Sequence, residues 1–131
     1  VLKTGGPLLA LAEPAYGGRI DYPDELGTAG RLQTQALRRQ GANPEIGRQL
    51  AHLVQKAGLT GIEVGVLGGQ WRIPSGSVID WEAEWAITES DLTGWVAESE
   101  IKKIQALEER AWKSGDRVLF VPTFYAWGRK L

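Results

Sequence analysis

The most continuous apolar run lies near the start of the chain. Residues 8–12 have the sequence LLALA, and Glu13 and Pro14 close the run. A segment that is apolar at every position predicts a strand covered on both faces, as in a parallel sheet. Residues 15–22, rich in glycine and tyrosine, predict an irregular loop after this strand.

Two segments with helical spacing are marked mainly by their ends. The first is expected near residues 23–40, where Pro23 suits the first helical position and Gly41 the position after the last turn. The other is expected at about residues 93–114, with Gly115 as its stop.

The best-marked helix lies between these two. Asn43 suits its N-cap, Pro44 its first turn and Gly58 its end. Its apolar positions fall on one stripe, which comprises Ile46, Leu50, Leu53, Val54 and Ala57.

Two further strands complete the pattern. Residues 62–67 alternate as a strand, and residues 117–128 are β-branched and aromatic, with Pro122 predicting a bulge or a break. Residues 70–90 fit neither pattern clearly. The order strand, helix, helix, strand, helix, strand predicts an α/β fold, built as a single domain over residues 1–131.

Composition narrows the function classes. The 131 residues are 43% hydrophobic and 24% charged, with a net charge of -1, no cysteine and one histidine. Neither a thiol nucleophile nor a zinc centre can be built from these residues, and the charge gives no field that would attract nucleic acid. No apolar stretch is long enough to span a membrane. We expect no nucleic-acid or membrane partner, and a cytoplasmic location.

Three short motifs carry a resemblance to a known family. Residues 2–6 (LKTGG) precede the first strand, Ala57 and Gly58 end the best-marked helix, and the apolar residues 118–120 lead to residues 126–130 (AWGRK). In their order these resemble the carboxyl-terminal part of class I S-adenosylmethionine-dependent methyltransferases. There a phrase such as LKPGG precedes the fifth strand, a helix ending in AG leads to the sixth, and a phrase such as AxGRK ends an antiparallel seventh.

The resemblance implies a fold and a division of labour. It implies a partial Rossmann-like methyltransferase sheet of about three strands, the last one antiparallel, with three main helices. The glycine-rich turn and acidic residue that hold S-adenosylmethionine in the family have no counterpart here. The cofactor would therefore bind the intact parent upstream, and none is expected for this chain alone. Because the chain starts at Val1 and has no methionine, we expect it to begin inside a longer reading frame, the alternative being that its start was trimmed.

The predicted substrate site follows the first strand. Glu13 closes that strand at its carboxyl end, where open α/β sheets place ligands. Tyr16, Arg19 and Tyr22 follow in the loop, where phenols and a guanidinium suit contact with a small-molecule acceptor. The alternative, which these residue types favour, is a solvated carboxylate followed by packed turns.

Aromatic residues suggest a second wall for the same acceptor. Trp81 and Trp85 are four residues apart and suit an apolar pocket, although packing in a core or an interface is the more common role. His52 lies opposite the apolar stripe of its helix and is expected to face solvent. The paired acids, among them Glu108 and Glu109, are interpreted as solvated faces, so no catalytic residue is assigned.

Two other functions remain open at this point. If the first strand lies at the edge of a sheet, two copies of the chain can pair through residues 8–13, giving a binding or dimerisation module without catalytic activity. The tryptophan-rich segment also fits a small-molecule carrier.

Overall fold

The computed structural model describes residues 2–68 and 78–131, except the side chains of residues 78–80. In chain order the elements are β1 (Pro7–Pro14), β2 (Ile20–Tyr22), α1 (Gly27–Arg39), α2 (Ile46–Lys56), β3 (Leu59–Leu67), α3 (Val78–Leu92), α4 (Glu98–Ser114), β4 (Val118–Phe120) and β5 (Thr123–Lys130). Short 3-10 turns lie at Tyr16–Gly18 and Asp24–Leu26.

These elements form two compact units. The sheet unit comprises residues 2–18, 44–68 and 121–131 of the described chain, and the helical unit comprises residues 19–43 and 78–120. Each unit is therefore assembled from separate stretches of sequence. The prediction that residues 1–131 form a single domain stays a prediction.

The sheet unit is built around its last strand. Its strand order is β1-β5-β3, and β5 runs antiparallel to both neighbours. Ala10 of β1 lies opposite Ala126 of β5, and Ala126 is fully buried beneath Leu50 and Val54 of α2. Small residues at the centre of the sheet let α2 pack closely on this face.

The helical unit has a core of its own. Helices α1, α3 and α4 pack around a cluster that comprises Ala29, Trp81, Trp85, Leu92, Ile101 and Ile104. Strands β2 and β4 form a separate antiparallel pair, with Ile20 opposite Phe120 and Tyr22 opposite Val118. Large aromatic and branched residues of α3 and α4 thus bury one another, with the small Ala29 of α1 packed against them.

The structure confirms the coarse fold class. The described chain is mixed α/β, with four α-helices and two small antiparallel sheets of three and two strands. The last strand is antiparallel, as expected. The counts of about three strands and three main helices were too low. Strand β2 lies in the segment predicted as a loop, the last predicted strand is divided into β4 and β5, and α3 lies in the ambiguous segment.

The prediction that the first strand is covered on both faces was wrong. Strand β1 is an edge strand, and Leu9 and Leu11 are 62% and 57% exposed. Every strand pair is antiparallel in the described residues, so the apolar run does not mark a parallel sheet here. An apolar sequence indicates that a strand can be buried, but it does not show which element covers each face of the strand.

Several boundaries also differ from the predictions. Helix α2 has Glu45 rather than Asn43 as its N-cap, and α4 begins at Glu98, about one turn later than expected. The final apolar segment divides at Pro122 into β4 and β5, which belong to different sheets. Proline there provides the predicted break, because it cannot donate a ladder hydrogen bond. Residues 69–77, including Trp71, lie outside the described residues.

Among the described helices, none combines the length and the apolarity that crossing a bilayer would require.

Candidate functional site

The carboxyl end of β1 leads directly into a tightly held turn. Glu13 lies opposite Phe124 of β5, just after a bulge at which Ala12 has a φ of 64°. The backbone N–H of Ala15 donates to the carbonyl of Pro122 at 2.8 Å, and that of Tyr16 donates to the carbonyl of Pro44 at 2.8 Å. Both predicted site residues of the sheet unit, Glu13 and Tyr16, are therefore half-buried on a fixed backbone.

Glycine in this turn allows a carboxylate to approach the backbone. The N–H of Gly17 donates to Oε1 of Glu45 at 2.9 Å, and Nε of Arg48 lies 3.2 Å from the other oxygen of the same carboxylate. A Cβ at Gly17 would lie only 3.0 Å from the carboxyl carbon of Glu45. The glycines after β1 therefore serve packing between the turn and the start of α2.

The other predicted site residues belong to the helical unit. Arg19 forms a two-pronged ion pair with Asp21, with distances of 2.8 Å and 3.0 Å, and also donates to Gln33. Gln33 in turn donates to Asp91 of α3 at 2.7 Å. The Arg19 side chain is only 5% exposed. Its guanidinium links β2 to α1 and, through Gln33, to α3.

The same network continues to a residue that the sequence analysis missed. Arg117 donates to Asp21 at 2.8 Å and to both oxygens of Glu108, at 2.7 Å and 2.9 Å. It also donates to the backbone carbonyls of Tyr22 and Val118. The Arg117 side chain is 0% exposed. The interpretation of Glu108 as part of a solvated face was wrong, because it is buried as the partner of this arginine.

The remaining predicted site residues differ in exposure. Tyr22 is exposed, whereas Trp81 and Trp85 are buried in the core of the helical unit. The indole N–H of Trp85 finds no acceptor among the described residues. The cavity beside the two tryptophans measures about 10 Å³, which is room for no more than one water. Substrate contact by these residues stays a prediction.

The face of the sheet opposite α2 carries an aromatic cluster. Strand alternation puts Tyr125 and Trp127 on this face, with Leu9 directly opposite Trp127. The Tyr125 hydroxyl and the Trp127 indole N–H each donate at 2.9 Å to a separate oxygen of Glu63. We call this surface, made by Leu9, Leu11, Tyr125 and Trp127, the open face, because α2 is the helix that covers the other side.

The two hydrogen bonds set the ionisation of Glu63 and Tyr125. Those from Trp127 and then Tyr125 lower the pKa of Glu63, and the bond to Glu63 and its negative charge raise the pKa of Tyr125. Because the pKa of Glu63 is lowered, its ionised carboxylate stabilises the fold at pH values above the ordinary glutamate pKa. This stabilisation is lost as the pH falls through the lowered pKa. Because the pKa of Tyr125 is raised, its protonated hydroxyl stabilises the fold at pH values below the ordinary tyrosine pKa. This stabilisation is lost as the pH rises through the raised pKa.

A tyrosine titration tests this arrangement. With Glu63→Gln we expect the pKa of Tyr125 to fall back towards its ordinary value, because the carboxylate that stabilises its protonated form is gone. The NMR signal of the Tyr125 ring, followed against pH, measures this. Glu82→Gln, which removes an exposed acid from α3, is the matched control and should leave the signal unmoved. An unchanged Tyr125 titration in Glu63→Gln would contradict the contact.

Similarity to known proteins and metal ligation do not assign a function to this chain. A scan of the sequence against protein-family models finds no match. A search of curated proteins finds no relative either. Within residues 2–68 and 78–131, no three side chains of His, Cys, Asp or Glu are grouped so as to hold a metal ion.

Proposed function

We propose that this chain is the carboxyl-terminal, substrate-side part of an S-adenosylmethionine-dependent methyltransferase acting on a small-molecule acceptor. The cofactor would be held by an upstream half, whose strands continue the sheet beyond β1. In the absence of that half the chain binds no cofactor.

The order of elements in the sheet unit supports the proposal. The LKTGG phrase precedes β1, Ala57 is the C-cap of α2 with Gly58 in a left-handed conformation after it, and β3 follows. The AWGRK phrase ends β5, which runs antiparallel to both other strands. These are the elements that the resemblance requires, in its order, with the two stretches of the helical unit inserted between them.

The free edge and the open face of the sheet are the observations that carry the proposal. Gly6 and Lys130 share a backbone hydrogen bond, so alternation turns the backbone groups of Leu8 and Ala10 towards β5 and those of Leu9 outwards. Between Pro7 and Glu13 this edge has no charged side chain to deter pairing. Exposed apolar surface of this kind marks a site where other protein packs.

In this proposal the acceptor lies near the carboxyl end of β1. Glu13 and Tyr16 are the two predicted site residues that the sheet unit holds there on a fixed backbone. Methyl transfer by direct displacement depends on positioning and exclusion of water more than on a protein nucleophile. A half-buried carboxylate and a phenol suit hydrogen bonding to the acceptor.

Calorimetric titration with S-adenosylmethionine tests the proposal. The codons upstream of Val1 should encode a strand followed by an acidic-x-Gly-x-Gly phrase. The longer product is expected to bind S-adenosylmethionine with a micromolar dissociation constant, and the 131-residue chain is expected to give no heat of binding. Tight binding by the 131-residue chain, or no binding by the longer product, would contradict the proposal.

A second candidate function is supported by the same edge of β1. Two copies related by a twofold axis at Leu9 exchange both backbone hydrogen bonds of that residue and continue the sheet across the interface. The result is a homodimeric binding module without catalytic activity. A mass that doubles with concentration, and returns to that of a monomer in Leu9→Lys, distinguishes this candidate from the first.

A further inference from the structure

The helical unit contains a second cavity, of about 190 Å³, away from its core tryptophans. Its apolar lining includes Leu26 and Ala111, which are almost fully buried, together with Leu107 of α4. Its charged lining comprises Glu25, Arg110 and Asp116, all three of which are exposed. The volume is well above the roughly 10–15 Å³ that a single water requires, which leaves room for a molecule the size of one amino acid.

The charges around this cavity are unpaired in the described part of the chain. None of Glu25, Arg110 and Asp116 makes a side-chain hydrogen bond or an ion pair there. By contrast, three glutamates of α4 pair with lysines one turn away, namely Glu98, Glu100 and Glu109. Arg110 and the two carboxylates thus line the same cavity without reaching one another, so a ligand with both charges can bridge them.

We infer that this cavity binds a small aliphatic zwitterion, a molecule with an ammonium group, a carboxylate and a short apolar side chain. The carboxylate pairs with Arg110, whose planar guanidinium suits two parallel hydrogen bonds. The ammonium lies between Glu25 and Asp116, and the aliphatic part displaces water from Leu26, Leu107 and Ala111. The inference does not depend on the proposed function, since every group it uses belongs to the helical unit.

Methyl NMR on the 131-residue protein tests the inference with L-leucine as the probe. The methyl signals of Leu26, Leu107 and Ala111 should shift saturably at leucine concentrations of up to about 50 mM. Isopentylamine lacks the carboxylate and 4-methylpentanoate lacks the ammonium. Each should bind at least about tenfold more weakly, because one charge-assisted contact is lost.

Variants distinguish binding through the charged contacts from nonspecific binding. Arg110→Gln should weaken leucine about tenfold and leave isopentylamine unchanged, whereas Lys103→Gln, an exposed charge on the same helix, should change neither. All three charged residues are exposed, so the variants are expected to fold. Absence of saturable shifts with leucine, equal binding of the three probes, or unchanged leucine binding in Arg110→Gln would each overturn the inference.

Discussion

Replacing Arg117 with methionine should lower the free energy of unfolding by about 3–5 kcal/mol, the usual cost of breaking a buried ion pair by removing one partner. Methionine keeps a flexible apolar stem in place of the arginine stem and lacks the guanidinium, so the loss is mainly one of charge and hydrogen bonds. Asp21 keeps Arg19 as a partner. Glu108 has its carboxylate bound at both oxygens by Arg117 alone among the described side chains, so it would be left buried and unpaired.

Urea unfolding measures the effect, and two variants control it. Lys113→Met breaks the exposed pair with Glu109 on the same helix and should cost no more than about 0.5 kcal/mol. Adding Glu108→Leu to Arg117→Met should recover most of the lost stability, because an apolar pair replaces the stranded carboxylate. A loss below about 1 kcal/mol for Arg117→Met would show that the network does not hold the helical unit together.

Gly47→Ala should be the most damaging small substitution in the sheet unit. Gly47 lies in α2 where that helix meets the end of β1, and an added Cβ would clash with the carbonyl oxygen of Glu13. The same Cβ would lie 2.7 Å from the Phe124 ring and 3.0 Å from the carbonyl oxygen of Pro14. Backbone oxygens cannot rotate away, so α2 must move off the sheet. We expect a net loss of about 2 kcal/mol, after up to about 1 kcal/mol regained from helix propensity.

The control for this prediction is the same substitution without a close neighbour. Gly27 begins α1 with a helical φ of -58°, and the nearest atom to an added Cβ is the flexible end of Arg31 at 3.5 Å. Gly27→Ala should therefore be neutral or stabilise the protein by up to about 1 kcal/mol. Thermal or urea unfolding compares the two. Equal effects of the two variants would mean that α2 is not locked against the end of β1.

Local chemistry made several elements predictable. Gly58 and Gly115 follow the ends of α2 and α4 with φ values of 74° and 77°, the left-handed conformation that the sequence analysis assigned to helix stops. His52 is exposed, as its position opposite the apolar stripe predicted. Pro122 separates two strands. Each of these depends on backbone preference or on spacing within one element, which the sequence shows directly.

Features that depend on distant partners were not predictable in this way. Glu108 and Arg117 are neighbours because the chain turns back after the end of α4 to enter β4. From its position beside Glu109 on a helix alone, Glu108 was predicted to be solvated. The exposure of Leu9 and Leu11 in β1 depends on what covers that face of the sheet, and Glu63 meets Trp127 only through the pairing of β3 with β5. Ion pairs between elements leave no periodic pattern in the sequence.

Hydrogen exchange at Leu9 tests the central claim, that the sheet unit is the border of a larger sheet, most directly. In the 131-residue chain the outward-facing amide of Leu9 should exchange rapidly, while that of Ala10, which faces β5, is protected. In the longer product the Leu9 amide should slow by at least about 100-fold, because a neighbouring strand accepts its hydrogen bond. Rapid exchange of Leu9 in the longer product would contradict the account, and so would protection in the 131-residue chain that rises with its concentration.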